Sequence, residues 1–106
     1  MKGAIASVEI FVFEAGGEAG AVRGRPRRLS LVIGMPERAP AGGTWQCRVA
    51  LADLHRPQIF EGRDSIEALL RAVERARGWL AALEAEGCWL ARDRDGTERL
   101  GAPFLS

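Results

Sequence analysis

Four polar residues are close enough in the sequence to suggest a catalytic group: Asp53, His55, Asp64 and Ser65. A nucleophilic triad needs a base within hydrogen-bond reach of the nucleophile and a third group that orients the base. A small enzyme built around His55 is therefore one hypothesis. No nucleophile-elbow pattern surrounds Ser65, however, and Asp64 and Ser65 are both explained as residues that cap a helix. We therefore predict no catalytic residue.

The remaining candidates for metal or redox chemistry are Cys47 and Cys88, which belong to no C-x-x-C pair. A metal site needs several converging ligands, and His55 is the only histidine in the chain. We interpret both cysteines as small hydrophobic residues in a reducing compartment. The sequence predicts no disulfide, metal site, cofactor or small-molecule ligand.

Positive charge is concentrated in one segment, which contains Arg23, Arg25, Arg27 and Arg28. Guanidinium groups pair well with phosphates and carboxylates, so this segment is a possible anion-binding loop. It contains no aromatic residue for base stacking, and the whole chain carries 15 Lys+Arg against 14 Asp+Glu, a net charge of +1. A nucleic-acid-binding accessory domain therefore remains the alternative hypothesis rather than the leading one.

The compartment is predicted from the hydropathy pattern. The apolar run near the first residue is interrupted by Ser7 and Glu9, so it lacks the continuous apolar region of a signal peptide. No stretch approaches the roughly 20 apolar residues of a membrane span. We expect a cytoplasmic protein with no membrane partner.

Alternating apolar residues predict a meander of strands before residue 62. Leu29, Leu31 and Ile33 alternate with smaller or polar residues, and Cys47, Val49 and Leu51 repeat the pattern. Pro57 cannot donate to a ladder, so the strand after it is expected at a sheet edge. The four predicted strands cover about residues 4–14, 28–35, 44–53 and 57–61.

A long amphipathic helix is predicted over residues 64–86. Asp64 is the expected N-cap, and Glu67, three residues later, gives a capping-box pattern. Gly87 and Cys88 fit the two residues that follow a Schellman ending. The apolar stripe expected to face the sheet consists of Ile66, Leu69, Leu70, Val73, Ala76, Leu80 and Leu83.

The last part of the chain, 88–106, is predicted as a short strand or hairpin and a tail. Asp95-Gly96 is the tightest hairpin signal in the sequence. With one domain over 1–106, the predicted fold is α+β. We expect a two-layer sandwich: an antiparallel β-meander of about four strands over 4–61, with one long helix across one face.

Short motifs in the chain support this fold by resemblance. Gly62-Arg63-Asp64-Ser65 leads to Ala68-Leu69, and Gly101-Ala102-Pro103 lies near the last residue. With Ile33-Gly34-Met35-Pro36 and Trp45-Gln46-Cys47, these segments resemble a family of small bacterial domains of unknown function. In that family a run of strands precedes a G-x-D-S-x-x-A-L helix start, and a G-x-P closes the domain. The resemblance implies the fold and carries no activity.

Strand one has large apolar residues on both faces, whereas one helix can cover only one face. If Val8, Ile10 and Val12 face the helix, Phe11 and Phe13 lie on the open face; the opposite register would bury them under the helix. An open aromatic patch is typical of an interface. We therefore predict a non-enzymatic protein-binding or self-associating module, a homodimer or a partner of another protein. Its possible interface residues are Phe11, Phe13, Val32, Arg48 and Trp79.

Overall fold

The computed structural model describes residues 4–14, 26–52 and 54–100. It confirms the α+β class: the described residues form one helix and an antiparallel sheet, but this sheet has seven strands rather than a meander of about four. Pro36 interrupts the second strand, and the chain then pairs again over two residues that the alternation pattern did not reveal. The elements are β1 (Ala4–Phe13), β2 (Arg27–Gly34), β3 (Glu37–Arg38), β4 (Trp45–Ala52), β5 (His55–Gly62), α1 (Ser65–Ala85), β6 (Trp89–Ala91) and β7 (Arg99–Leu100).

The sheet is a meander that is extended at its first strand. β1 pairs with β2, β2 with β4, and β4 with β5, all antiparallel, while β3 continues along the β2 side of β4. α1 then carries the chain back across the sheet, so that β6 pairs with the free side of β1 and β7 follows β6. The described edge strands are therefore β5 on one side and β7 on the other.

β5 is the edge strand that Pro57 predicted, although it begins at His55. It pairs with β4 on one side, and no other described strand lies along its second side. The ladder is regular from Gln58 to Gly62 and shifts register before Leu51 meets His55. Pro57 falls in this irregular stretch, which fits its missing N–H group.

The predicted caps of α1 are present. Asp64 has extended backbone, and its carboxylate accepts a hydrogen bond from the Glu67 N–H at 2.7 Å. Glu67 in turn accepts from the Arg63 N–H at 2.8 Å. At the other end Gly87 has φ +94°, and the Cys88 N–H donates to the Leu83 carbonyl, as in a Schellman motif.

The orientation of α1 differs from the prediction. Ile66 and Leu70 were expected against the sheet, but their side chains are 68% and 61% exposed. Ala76, Leu80 and Leu83 are buried as expected, and Leu69 and Val73 are only partly buried. Ala68, Ala72 and Trp79, which lie outside the predicted stripe, are also buried on the contact face, and the small alanine side chains let the helix approach the sheet closely.

The start of the helix is held against β5 by a close backbone approach. A Cβ atom on Gly62 would overlap the backbone nitrogen of Ala68. Glycine is therefore required here for space rather than for an unusual φ angle. The main core lies between α1 and the sheet and includes Ile10, Leu29, Val49 and Leu51.

Candidate functional site

The predicted aromatic interface lies on the expected face of the sheet but is covered. Phe11 and Phe13 form a cluster with Ala91 and Trp89 that is separate from the core under α1. The face assignment from strand alternation agrees with this arrangement. The two phenylalanine side chains are only 8% and 6% exposed, however, so the expectation of an open aromatic patch is wrong.

The chain's own C-terminal segment covers the two phenylalanines. Trp89 stacks on Phe13 with ring centroids 4.1 Å apart and an interplanar angle of 7°. The Arg99 guanidinium lies 3.9 Å from the Trp89 ring centroid, and the Arg94 guanidinium lies 5.6 Å from that of Phe11. A partner is therefore not needed to remove this pair from water.

The β6–β7 turn is fixed by Asp93. Its carboxylate accepts hydrogen bonds from the Thr97 N–H and hydroxyl and from the Glu98 N–H. The Thr97 hydroxyl and then the Glu98 N–H hold the pKa of this carboxyl below its usual value. Gly96, with φ +75°, rests against Trp89 and Phe13, where a Cβ atom would come within 2.6 Å of the indole. The β6–β7 turn therefore covers the aromatic cluster.

The other predicted interface residues are dispersed. Val32 and Arg48 lie on the face away from α1, where Val32 is opposite Ala50 and Arg48 is opposite Ile59. Trp79, a predicted interface residue, is buried, and it stacks on His55 with ring centroids 4.6 Å apart. The structure therefore does not assemble the predicted set into one patch.

The residues considered for catalysis are also separated. His55 lies beside Trp79, whereas Asp64 and Ser65 are at the first turn of α1. The fourteen residue steps from Ser65 to Trp79 correspond to roughly 21 Å of helix. Asp53 lies outside the described residues. No triad can therefore form among His55, Asp64 and Ser65.

A small cleft lies next to His55, between the last turns of α1 and the sheet. Its volume is about 210 Å³. Burial, and then the charges of Glu14 and Glu86, raise the pKa of the Cys88 thiol in this cleft. Because the thiolate is the reactive form, this environment opposes nucleophilic chemistry. The lining also includes Val12, Arg27, Leu29, Leu54, Trp79, Ala82 and Leu83.

The predicted anion-binding loop is described only in part, since Arg23 and Arg25 lie outside the described residues. Arg27 borders the cleft, while Arg28 approaches Glu9 at 3.9 Å on the other face of β2. The two described arginines therefore point to opposite sides of the sheet. Phe11, which is opposite Arg28 in the β1–β2 ladder, is buried and offers no open stacking face for a base.

A different surface, along β5, is open. Ile59 is 49% exposed on the face away from α1, and its strand has an unpaired edge in the described chain. On the α1 face, the Arg75 guanidinium lies 5.6 Å from the Phe60 ring centroid. Phe60 and one side of α1 border a groove of about 340 Å³ lined by Phe60, Arg71, Glu74, Arg75 and Gly78.

We call the edge of β5 together with this groove the β5 surface. Sequence reasoning located the edge from Pro57 but missed the groove, because the groove depends on how α1 is rotated. The available signal was the cluster of Arg71, Glu74, Arg75 and Gly78 outside the apolar stripe of the helix.

The described residues include no group of three or more His, Cys, Asp or Glu side chains placed to hold a metal ion. No described helix combines the length and apolar character needed to cross a membrane. Comparisons with protein-family models, curated proteins and solved structures found no match to this chain.

Proposed function

We propose that this protein is a non-enzymatic, self-associating protein-binding module that uses the β5 surface. One observation carries the proposal: β5 has eight residues and an edge that no described strand pairs with. Exposed edges present unpaired N–H and C=O groups to other chains; Pro57 and the register shift shield one end of β5, and the regular stretch from Gln58 to Gly62 is left open. Ile59 adds an exposed aliphatic side chain beside that edge.

The packing of α1 against the sheet supports the same surface. α1 lies on β4 and β5, so the edge of the sheet and the side of the helix are next to each other. A partner can therefore contact backbone and side chains at once. The net charge of +1 produces little repulsion between two copies.

We place this module in the cytoplasm. Both cysteines are free thiols, and Cys47 is buried, where its Sγ donates to the Gly34 carbonyl at 3.3 Å. A reducing compartment keeps such thiols unpaired.

The test is the mass of the protein in solution, measured by light scattering coupled to size-exclusion chromatography over a wide concentration range. One chain has a mass of 11.5 kDa, and we expect about twice this value at high concentration. A mass of one chain at every concentration would contradict self-association.

A further inference from the structure

The β5 surface specifies how a second copy would dock. Building on the proposed self-association, we propose that β5 pairs antiparallel with β5 of a second copy about a two-fold axis at Ile59. The two sheets then form one continuous sheet, and the two α1 helices lie side by side on the same face.

The strand register follows from the alternation of faces. Directly opposite residues in an antiparallel pair share a face, so a two-fold axis normal to the sheet must pass at the level of a residue. At Ile59, the two exposed isoleucines become a cross-strand pair on the face away from α1. Phe60 is then opposite Gln58 of the second copy on the helix face.

An axis at Glu61, the next residue on the same face of β5, is less favourable. An axis at Glu61 would place the two Glu61 carboxylates directly opposite each other, and like charges in that position destabilise a strand pair. An axis at Ile59 instead places Glu61 opposite Pro57 of the second copy. Pro57 has no N–H group and lies in the irregular stretch of β5, so the new ladder is short and ends there.

The helix position is compatible with this axis. α1 packs mainly on β4 and β5, and strands are about 4.8 Å apart, so the axis of α1 is near the gap between these strands. The two-fold axis lies half a strand spacing beyond β5. The two helix axes are then roughly 10 Å apart, which is within the range of packed helices.

The side chains on the groove side of α1 complement themselves across such an axis. Phe60 is one residue from the two-fold axis along β5, and it contacts this side of α1 near Arg75. Glu74 and Arg75 are therefore close to the level of the two-fold axis along the helix. In an antiparallel helix pair centred there, Glu74, which also approaches Arg77 of its own chain at 3.6 Å, faces Arg75 of the second copy, and the reverse. Arg71 is then opposite Gly78 of the second copy, whose missing side chain leaves open space.

The first experiment compares two matched lysine substitutions by light scattering. Ile59→Lys places two ammonium groups opposite each other, and we expect the dissociation constant of the dimer to rise at least about 100-fold. Ile66→Lys is the control, because Ile66 is also exposed but does not line the groove. It should leave the dissociation constant unchanged, and circular dichroism checks that both variants fold.

Charge exchange on the helix is the second experiment. Glu74→Arg places arginine against arginine, and we expect dimerisation to weaken about tenfold. Adding Arg75→Glu to the same chain restores opposite charges in both copies, so affinity should return to within about threefold of the wild type.

Cross-linking provides a readout that does not depend on affinity. In a Cys88→Ser background, Ile59→Cys should form a covalent dimer under mild oxidation, since facing residues of a strand pair have close Cβ atoms. Ile66→Cys in the same background should not.

A wild-type dimer that is insensitive to Ile59→Lys and does not cross-link through Ile59→Cys would overturn this contact but keep self-association. A wild-type monomer at all concentrations would remove both.

Discussion

Phe13 and Trp89 stack with their ring centroids 4.1 Å apart and nearly parallel planes. The contact joins the end of β1 to the start of β6, which are 76 residues apart in the chain (89 − 13). The contact covers the part of the sheet face around Phe13 that strand alternation alone would leave exposed. Gly96 packs against the same two rings and completes this cover.

The Gly96 contact can be tested by comparing two glycines with similar backbones. Gly43 has φ +85° with open space around its Cα, so Gly43→Ala should cost only the left-handed conformation, about 1–2 kcal/mol. Gly96→Ala adds a clash with Trp89, and we expect a further loss of about 1–3 kcal/mol. Denaturant unfolding measures both free energies. Equal losses would show that Trp89 moves freely out of the way.

The rotation of α1 is tested by a second pair of variants. Leu70 is 61% exposed, so Leu70→Ala should change the free energy of unfolding by no more than about 0.5 kcal/mol. Ala72 is fully buried against the sheet, so Ala72→Leu should destabilise the fold by about 1–3 kcal/mol. The opposite result would be a large loss of unfolding free energy for Leu70→Ala and little change for Ala72→Leu. It would mean that α1 faces the sheet with the side that hydrophobicity alone predicts.

Asp93 gives a pH dependence with a defined sign. Hydrogen bonds from the Thr97 hydroxyl and the Glu98 N–H lower the pKa of Asp93 in the folded protein from its ordinary value of 3.8. Its carboxylate therefore contributes stability above the unfolded pKa, and this contribution is lost as the pH falls through the lower folded pKa.

Asp93→Asn removes this titration. We expect the wild type to be more stable than Asp93→Asn at pH 7, and the difference in unfolding free energy to shrink below about pH 4. Thermal unfolding measured from pH 7 to pH 2 checks this. Asp95→Asn is the control, because no described side-chain hydrogen bond of Asp95 fixes the turn. A difference independent of pH would show that the Asp93 carboxylate has the same pKa folded and unfolded.

The two thiols should differ in reactivity. Cys47 is buried, and burial raises its pKa, so modification should require unfolding. Cys88 is partly exposed, and burial together with Glu14 and Glu86 raises its pKa. We expect Cys88 to react first at pH 8 and Glu14→Gln to accelerate it, because loss of a nearby negative charge favours the thiolate.

Mass spectrometry after timed exposure to a thiol reagent identifies the modified residue. In denaturant both cysteines should react at similar rates. Faster reaction of Cys47 than of Cys88 in the folded protein would contradict the placement of Cys47 in the core.

The sequence predicted the features that depend on neighbouring residues. Asp64 caps α1 and Gly87 ends it, because capping needs only local backbone groups and a suitable side chain. The alternation of β1 correctly separated Ile10 from Phe11. These assignments do not require knowledge of what packs against the element.

The errors concern packing between distant elements. Hydrophobicity alone predicted that Ile66 and Leu70 face the sheet. The contact face depends instead on how closely α1 can approach the sheet, and the small side chain of Ala72 allows a shorter distance between them. The cover over Phe11 also depends on a non-local pairing, since β6 must return beside β1. The Asp95-Gly96 pair indicated a hairpin without showing which surface it would cover.

The crossover of α1 from β5 to β6 also predicts an order of folding. β1, β2, β4 and β5 pair with near neighbours in the chain, whereas Phe11 pairs with Ala91, 80 residues away (91 − 11). Closing so long a loop is entropically costly until the helix between them has docked. β6 should therefore join the sheet last, and during synthesis or refolding the two phenylalanines would remain in water until then. A chain that ends before β6 would expose this apolar surface permanently, which makes truncated forms candidates for aggregation and proteolysis.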